Sequence, residues 1–257
     1  MTYALITGAS KGIGRSIALE LARNRFNVLL VARSEEALQL VASEIREKYK
    51  VEAACFAIDL AAEGAATRVV NWCNEHHYEI SALINNAGYG LSGAFQKYTV
   101  EEDLEMMQVN MTVPVQLCRM LLPVLSRQKQ AYILNIASSA AYQAVPGLSL
   151  YAATKAFVLR FSRGLHQEFR NTSISVTCVC PGATDTGFAG RAQIGAKGLK
   201  AAEKVNMMPD QVARIAVKGM FAKKPEVITG VVNKLGAALV WMLPKILVER
   251  TAMKIYE

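Results

Sequence analysis

Short apolar runs of strand length alternate with longer helical stretches along most of the 257-residue chain, and this alternation narrows the choice of fold more than any other feature. It is the pattern of βαβ units, because parallel neighbours need a crossover of a dozen residues or more. Seven strands are expected, at 3–7, 27–31, 51–57, 81–85, 131–137, 173–180 and 227–230. Helical periodicity occupies about 12–24, 34–49, 62–77, 101–127, 149–170 and 209–223. The strands read as unbroken apolar runs, such as Val28-Leu29-Leu30-Val31 and Ile133-Leu134-Asn135-Ile136-Ala137. Strands of that kind are covered on both faces. The expected fold class is therefore α/β, a doubly wound parallel sheet of seven strands with helices on both sides.

With 52% apolar and 19% charged residues the chain can bury a full core and is not a disordered polyelectrolyte. Residues 1–257 are expected to form a single domain. There is no internal repeat, and the one long aperiodic stretch, about 182–208, is rich in Gly and Ala. Loops of that length are usually lids or binding loops. Five cysteines (Cys55, Cys73, Cys118, Cys178, Cys180) make an odd set with no C-x-x-C and no clustered histidines. They suggest neither a disulfide framework nor a metal site, and no metal is inferred. With no basic, cleavable leader before the first strand, the expected location is cytoplasmic.

The net charge of +8 is uneven: residues 1–128 carry 12 basic and 14 acidic groups, residues 129–257 carry 17 and 7. The excess cations, among them Lys197, Lys200, Lys204, Lys218, Lys223 and Lys224, stand singly or in pairs without interleaved aromatics. That spacing argues against a nucleic-acid platform and for solvated faces, with an anionic partner as the alternative.

Two local patterns carry chemistry. The first strand ends in Thr7-Gly8-Ala9-Ser10-Lys11-Gly12-Ile13-Gly14, a turn whose glycines permit close approach of a pyrophosphate to the N–H groups of the next helix. Its G-x-x-x-G-x-G spacing departs from the general G-x-G-x-x-G fingerprint. Further on, Ser138 precedes Tyr151-Ala152-Ala153-Thr154-Lys155 at a helix start. Residues i and i+4 share a helix face, and an ammonium beside a phenol lowers the phenol's pKa from about 10. Such a pair is a tuned acid/base, although Y-x-x-x-K alone is more readily a buried Tyr beside a surface Lys.

Taken with Asn85-Asn86-Ala87-Gly88 after the fourth strand, Asn110, the thirteen-residue step from Ser138 to Tyr151, and Pro181-Gly182 after the sixth strand, the chain resembles the short-chain dehydrogenase/reductase family over residues 3–230. The resemblance implies a Rossmann-type fold and a nicotinamide cofactor. It also implies roles: Tyr151 as general acid/base, Lys155 holding the nicotinamide ribose and lowering the phenol's pKa, Ser138 hydrogen-bonding the substrate oxygen, and Asn110 positioning a water on a relay to the lysine. Gly8, Ser10, Lys11, Gly12, Ile13 and Gly14 would line the phosphates and ribose. Asp59 and Leu60 would hold the adenine, and Asn86, Ala87 and Gly88 would pack on the adenosine side. Pro181, Gly182, Thr184 and Thr186 match the segment that binds the carboxamide. Asp59 as a helix cap and Pro181-Gly182 as a plain turn are the structural alternatives.

Family members that prefer NAD usually carry a carboxylate after the second strand, where this chain has Ala32 followed by Arg33. NADP(H) is therefore expected over NAD(H), with Arg33 pairing with the 2′-phosphate and Lys11 adding charge. The implied function is a redox interconversion of a carbonyl compound and an alcohol. The alternatives are an epimerase-like member, or a non-catalytic nucleotide-binding regulator, whose sign would be loss of Tyr151 or Lys155. A homodimer or homotetramer is implied by the resemblance alone.

After the last strand, 231–257 forms an apolar and basic extension: Leu235 to Pro244 is bracketed by Lys234 and Lys245, with Arg250 and Lys254 beyond. Ten apolar residues are half of what a span needs. The segment is expected to pack against the core or a subunit neighbour, with an interfacial position on a bilayer or contact with an anionic carrier as the alternative; an apolar surface near 182–208 would favour a hydrophobic carbonyl substrate.

Overall fold

The computed structural model describes residues 2–195, 198–200 and 206–256. Part of the 182–208 segment, with Lys197 and Lys204, and the final Glu257 lie outside the described residues.

Seven strands form one parallel sheet in the order β3-β2-β1-β4-β5-β6-β7. They are β1 (Tyr3–Thr7), β2 (Asn27–Ala32), β3 (Ala53–Ala57), β4 (Ile80–Asn85), β5 (Ala131–Ile136), β6 (Ile174–Cys180) and β7 (Glu226–Ile228). Strands β2, β4 and β6 are buried along their whole length, as unbroken apolar runs require. One face packs on α1 (Gly12–Arg23), α2 (Glu35–Tyr49) and α8 (Pro209–Phe221), through Ile17, Leu21, Leu38, Ile45 and Met220. The other packs on α3 (Ala65–Glu75), α5 (Val113–Leu125) and α6 (Ser149–Glu168), through Val69, Leu117, Leu121 and Ala152. The order reverses between β1 and β4, which leave the sheet centre in opposite directions. In open α/β sheets that crevice, at the strands' carboxyl ends, is where ligands bind.

Several boundaries differ from the sequence reading. The helix expected at 62–77 starts at Ala65, because Gly64 in the left-handed region (φ 67°) is its N-cap. Asp59 does not cap that helix; its carboxylate accepts from the Ala61 N–H (3.0 Å) in a separate turn. The helix expected over 101–127 is two helices, α4 (Val100–Met107) and α5, joined by a π turn at Gln108–Thr112. Pro114 supplies the cause: it has no N–H for the Asn110 carbonyl four residues earlier, so the ladder widens there.

The aperiodic segment is pinned at both ends. Asp185 N–H donates to the Met207 carbonyl and Met207 N–H to that of Ala183 (both 3.1 Å), and a short helix α7 (Phe188–Arg191) lies between. Beyond β7 the chain forms α9 (Val231–Met242) and α10 (Lys245–Tyr256), divided at Leu243 and Pro244. Ala252 is buried in the core, whereas most of the large apolar side chains described on these two helices are exposed in the single chain. No helix among the described residues is long and apolar enough to cross a membrane.

Candidate active site

A cleft of about 870 Å³ runs along the carboxyl ends of the strands. It starts beside Arg33 and Asp59, passes the glycine turn, and reaches Ser138, Tyr151 and Lys155. All the residues named above as candidate cofactor contacts line it, and of the four candidate catalytic residues only Asn110 does not.

The glycine turn is held from behind. Asn86 Nδ2 donates to the carbonyls of Thr7 (2.9 Å) and Gly8 (3.2 Å), and the Thr7 hydroxyl accepts from the N–H groups of Asn86 and Ala87 (both 3.0 Å). The Asn86 side chain thus fixes the turn from the cleft wall. A Cβ on Gly14 would lie 2.2 Å from the Gly8 carbonyl oxygen, so only glycine lets α1 approach β1 this closely. Lys11, the N-cap of α1, gives it no side-chain cap, which leaves first-turn N–H groups facing the cleft. Lys11, Arg33 and Arg191 add charge, against Asp59 and Asp185. A glycine cradle, an uncapped helix N-terminus and cations at the adenosine end fit a dinucleotide phosphate chain.

Tyr151 and Lys155 sit in the first turns of α6, both buried. The Lys155 ammonium is 5.8 Å from the centroid of the Tyr151 ring and donates to the Ile136 carbonyl (2.9 Å). The alternative of a surface lysine is thereby excluded: Lys155 is 4% exposed. Ser138 follows β5, and its oxygen accepts from the Ala140 N–H (3.1 Å), leaving the hydroxyl proton to donate.

Asn110 lies deeper. Its Nδ2 donates to the Tyr89 carbonyl (2.9 Å) and the Thr154 hydroxyl (3.0 Å), and its Oδ1 accepts from Tyr89 N–H (3.1 Å). Thr154 in turn donates to the Tyr151 carbonyl (2.7 Å). The side chain therefore ties the π turn to the base of α6. A Cβ on Gly88 would stand 3.0 Å from Asn110 Oδ1 and 3.1 Å from Lys155 Nζ, so a side chain there would intrude between them.

Burial pulls the Lys155 ammonium down from its ordinary 10.5 to about 8. Between those values the unfolded chain binds more protons than the folded one, so the penalty for the buried charge is fully present below about pH 8 and is relieved as pH rises to about 10.5. Urea unfolding across that window should show wild type gaining stability relative to Lys155→Met. A pH-independent difference would contradict a buried, charged Lys155.

The carboxamide-binding candidates fold over the turn: Thr186 Cβ is 2.8 Å from the position of a Gly12 Cβ, and Thr184 donates to the Gly182 carbonyl (3.0 Å). Helix α7 brings two residues not anticipated from sequence. Phe188 packs on the Tyr151 ring (5.2 Å between centroids), and the Arg191 guanidinium lies 3.9 Å from the centroid of Tyr89. Arg33 is close enough to help lower the proton affinity of Arg191, after burial. Their only sequence signal was an aromatic and a cation within an otherwise small-residue stretch.

The chain belongs to the short chain dehydrogenase family, whose sequence model matches residues 2–195. A human very-long-chain 3-oxoacyl-CoA reductase is 36% identical over 185 residues, 70% of this chain and 58% of that protein. The chain thus spans little more than half the length of that curated relative. Among solved structures, a short-chain dehydrogenase from Sphingobium yanoikuyae in complex with NADPH is 31% identical, with a TM-score of 0.82 over 94% of this chain and 93% of the other. A 7beta-hydroxysteroid dehydrogenase has a TM-score of 0.86 and 25% identity, over 98% of this chain and 95% of the other.

Proposed function

We propose that this chain is an NADP(H)-dependent oxidoreductase that interconverts a ketone or aldehyde and an alcohol on a hydrophobic substrate. The observation that carries the reading is the placement of Tyr151 and the buried Lys155 on one face of α6, in the same cleft as Ser138 and the glycine turn. A regulator that only binds nucleotide has no use for a buried ammonium, which costs stability.

Gly8 to Gly14, Asp59, Leu60, Asn86 to Gly88 and the 181–186 segment would hold a nicotinamide dinucleotide, which when bound would supply or accept the hydride. Tyr151 gives its phenolic proton to the carbonyl oxygen in reduction and takes it back in oxidation. Lys155 favours the phenolate by its charge, and Ser138 donates to the substrate oxygen where negative charge develops. Asn110 positions a water on a relay that returns a proton towards Lys155. Leu148, Phe188, Ile194 and Leu199 give the substrate end of the cleft an apolar lining, which suits a hydrophobic carbonyl. The names of the 3-oxoacyl-CoA reductase and hydroxysteroid relatives agree with that class.

Cofactor preference rests on Ala32 and Arg33. No carboxylate at Ala32 repels a 2′-phosphate, and Arg33 is tied to Asp59 only by a loose, exposed pair at 3.9 Å, so its guanidinium is available. The NADPH complex of the Sphingobium relative supports this reading. Following the nicotinamide absorbance against a panel of ketones and aldehydes tests both claims. Arg33→Ala should lower kcat/KM for NADPH by about ten- to a hundredfold, the value of a hydrogen-bonded charge pair, and leave NADH within a few-fold. Equal use of the two cofactors by wild type would refute the preference.

A further inference from the structure

We propose that helices α9 and α10 form a docking face for a bilayer surface containing anionic lipid, which brings the substrate end of the cleft against the membrane. Val231, Leu235, Leu239 and Met242 recur at steps of four, four and three residues, so they line one side of α9. They are 71%, 61%, 53% and 81% exposed. Leu243, Ile246 and Leu247 continue the exposed apolar surface across the junction into α10. A run of large exposed apolar side chains on this scale marks an interaction surface rather than ordinary scatter.

Charge selects the occupant. Residues 231–256 contain four basic side chains, Lys234, Lys245, Arg250 and Lys254, and one acidic, Glu249. Lys234, Lys245 and Arg250 are exposed beside the apolar residues, whereas Glu249 is partly buried. A two-fold contact with a second copy through this face would set cations against cations. An anionic lipid surface offers apolar depth and opposite charge together. Each helix has 12 residues, about 18 Å of length against a hydrocarbon core of about 30 Å. The pair therefore lies on a bilayer and does not cross it.

The helices that carry the face border the cleft. At the start of α9, Asn233 packs so closely on Gly182 that a Cβ there would be 2.1 Å from its Nδ2, and Gly182 belongs to the cleft wall. On α10, Met253 lines a second cavity of about 480 Å³ with Leu91, Phe95 and Leu150, the last being next to Tyr151. Docking would thus present the substrate end of the site to molecules dissolved in lipid; this last consequence rests on the redox reading above, while docking itself does not.

The test is sedimentation of the full chain with vesicles of phosphatidylcholine alone or mixed with phosphatidylglycerol, at about 0.1 M and about 1 M salt, where the Debye length falls from about 10 to about 3 Å. The expected result is pelleting with the anionic vesicles at low salt, lowered at least about tenfold by Leu235→Asp/Leu239→Asp, by Lys234→Glu/Lys245→Glu and by high salt. These side chains are exposed, so nucleotide binding should be unchanged; if the leucine variant misfolds, the lysine variant carries the test. A chain that stays in the supernatant, or binds regardless of these changes, overturns the proposal. So does light scattering that shows a dimer split by Leu235→Asp/Leu239→Asp, which would assign the face to a second copy. Because pelleting needs no turnover, its failure leaves the redox reading standing, and the reverse also holds.

Discussion

Tyr151→Phe is expected to lower turnover by about 10² or more while nucleotide affinity stays within a few-fold. The substitution removes one hydroxyl and keeps the ring. The ring is 7% exposed, packs 5.2 Å from Phe188 and stands next to the Lys155 ammonium, contacts that Phe keeps. What disappears is the proton that the proposed mechanism gives to the carbonyl oxygen. Steady-state rates beside a fluorescence titration with NADPH separate the two quantities. A variant that turns over at near wild-type rate would show that the acid/base has been assigned to the wrong residue; equal loss of binding and rate would show that the phenol acts on the nucleotide instead.

The second large effect is expected at the glycine turn. Gly14→Ala would place a methyl group 2.2 Å from the Gly8 carbonyl oxygen and 2.4 Å from Asn86 Nδ2. The first of these is backbone, which does not swing aside, so α1 must lift from β1 and the hydrogen bonds from Asn86 to Thr7 and Gly8 must lengthen. Overpacking of this kind costs about 3 kcal/mol, or roughly 6–12 °C in Tm for a chain of this size. The displaced helix N-terminus should no longer bind nucleotide. Gly164→Ala, in the middle of α6 with nothing within 4 Å of the added methyl, is the control. It should be neutral or stabilise by up to about 1 kcal/mol. Differential scanning calorimetry on the two variants decides it: if Gly14→Ala melts with wild type and still binds nucleotide, the turn is not the cradle described.

The doubly wound sheet was legible because its strands are continuous apolar runs and its helices are periodic, signals set by burial on one or both faces. The Tyr151 and Lys155 pair was legible as a spacing. That Lys155 is buried was not, since its burial depends on β5 and β6 arriving from distant parts of the chain, with Ile136 offering a carbonyl. The π turn at Asn110 escaped a reading based on apolar period, although Pro114 marked the missing hydrogen bond. That the Asn86 amide donates to the Thr7 and Gly8 carbonyls was not legible, since it is a tertiary contact with no local signature. Phe188 and Arg191 were missed for the same reason: the 182–208 segment has no period, and its position over Tyr151 and Tyr89 is decided by where β6 ends. The apolar extension was visible as composition, but whether it would be covered by the core was a question only the packing of α9 and α10 answered.

The central claim is that this cleft passes hydride between a nicotinamide and a carbonyl carbon with Tyr151 supplying the proton. Its most direct test is isotopic: NADPH deuterated on the transferable C4 position, incubated with the ketone or aldehyde that consumes it fastest, and the alcohol product analysed by mass spectrometry. The account predicts one deuterium on the carbinol carbon, formed in step with loss of nicotinamide absorbance by wild type and at least about a hundredfold more slowly by Tyr151→Phe. Tight NADPH binding with no label reaching any product across a broad carbonyl panel would contradict it.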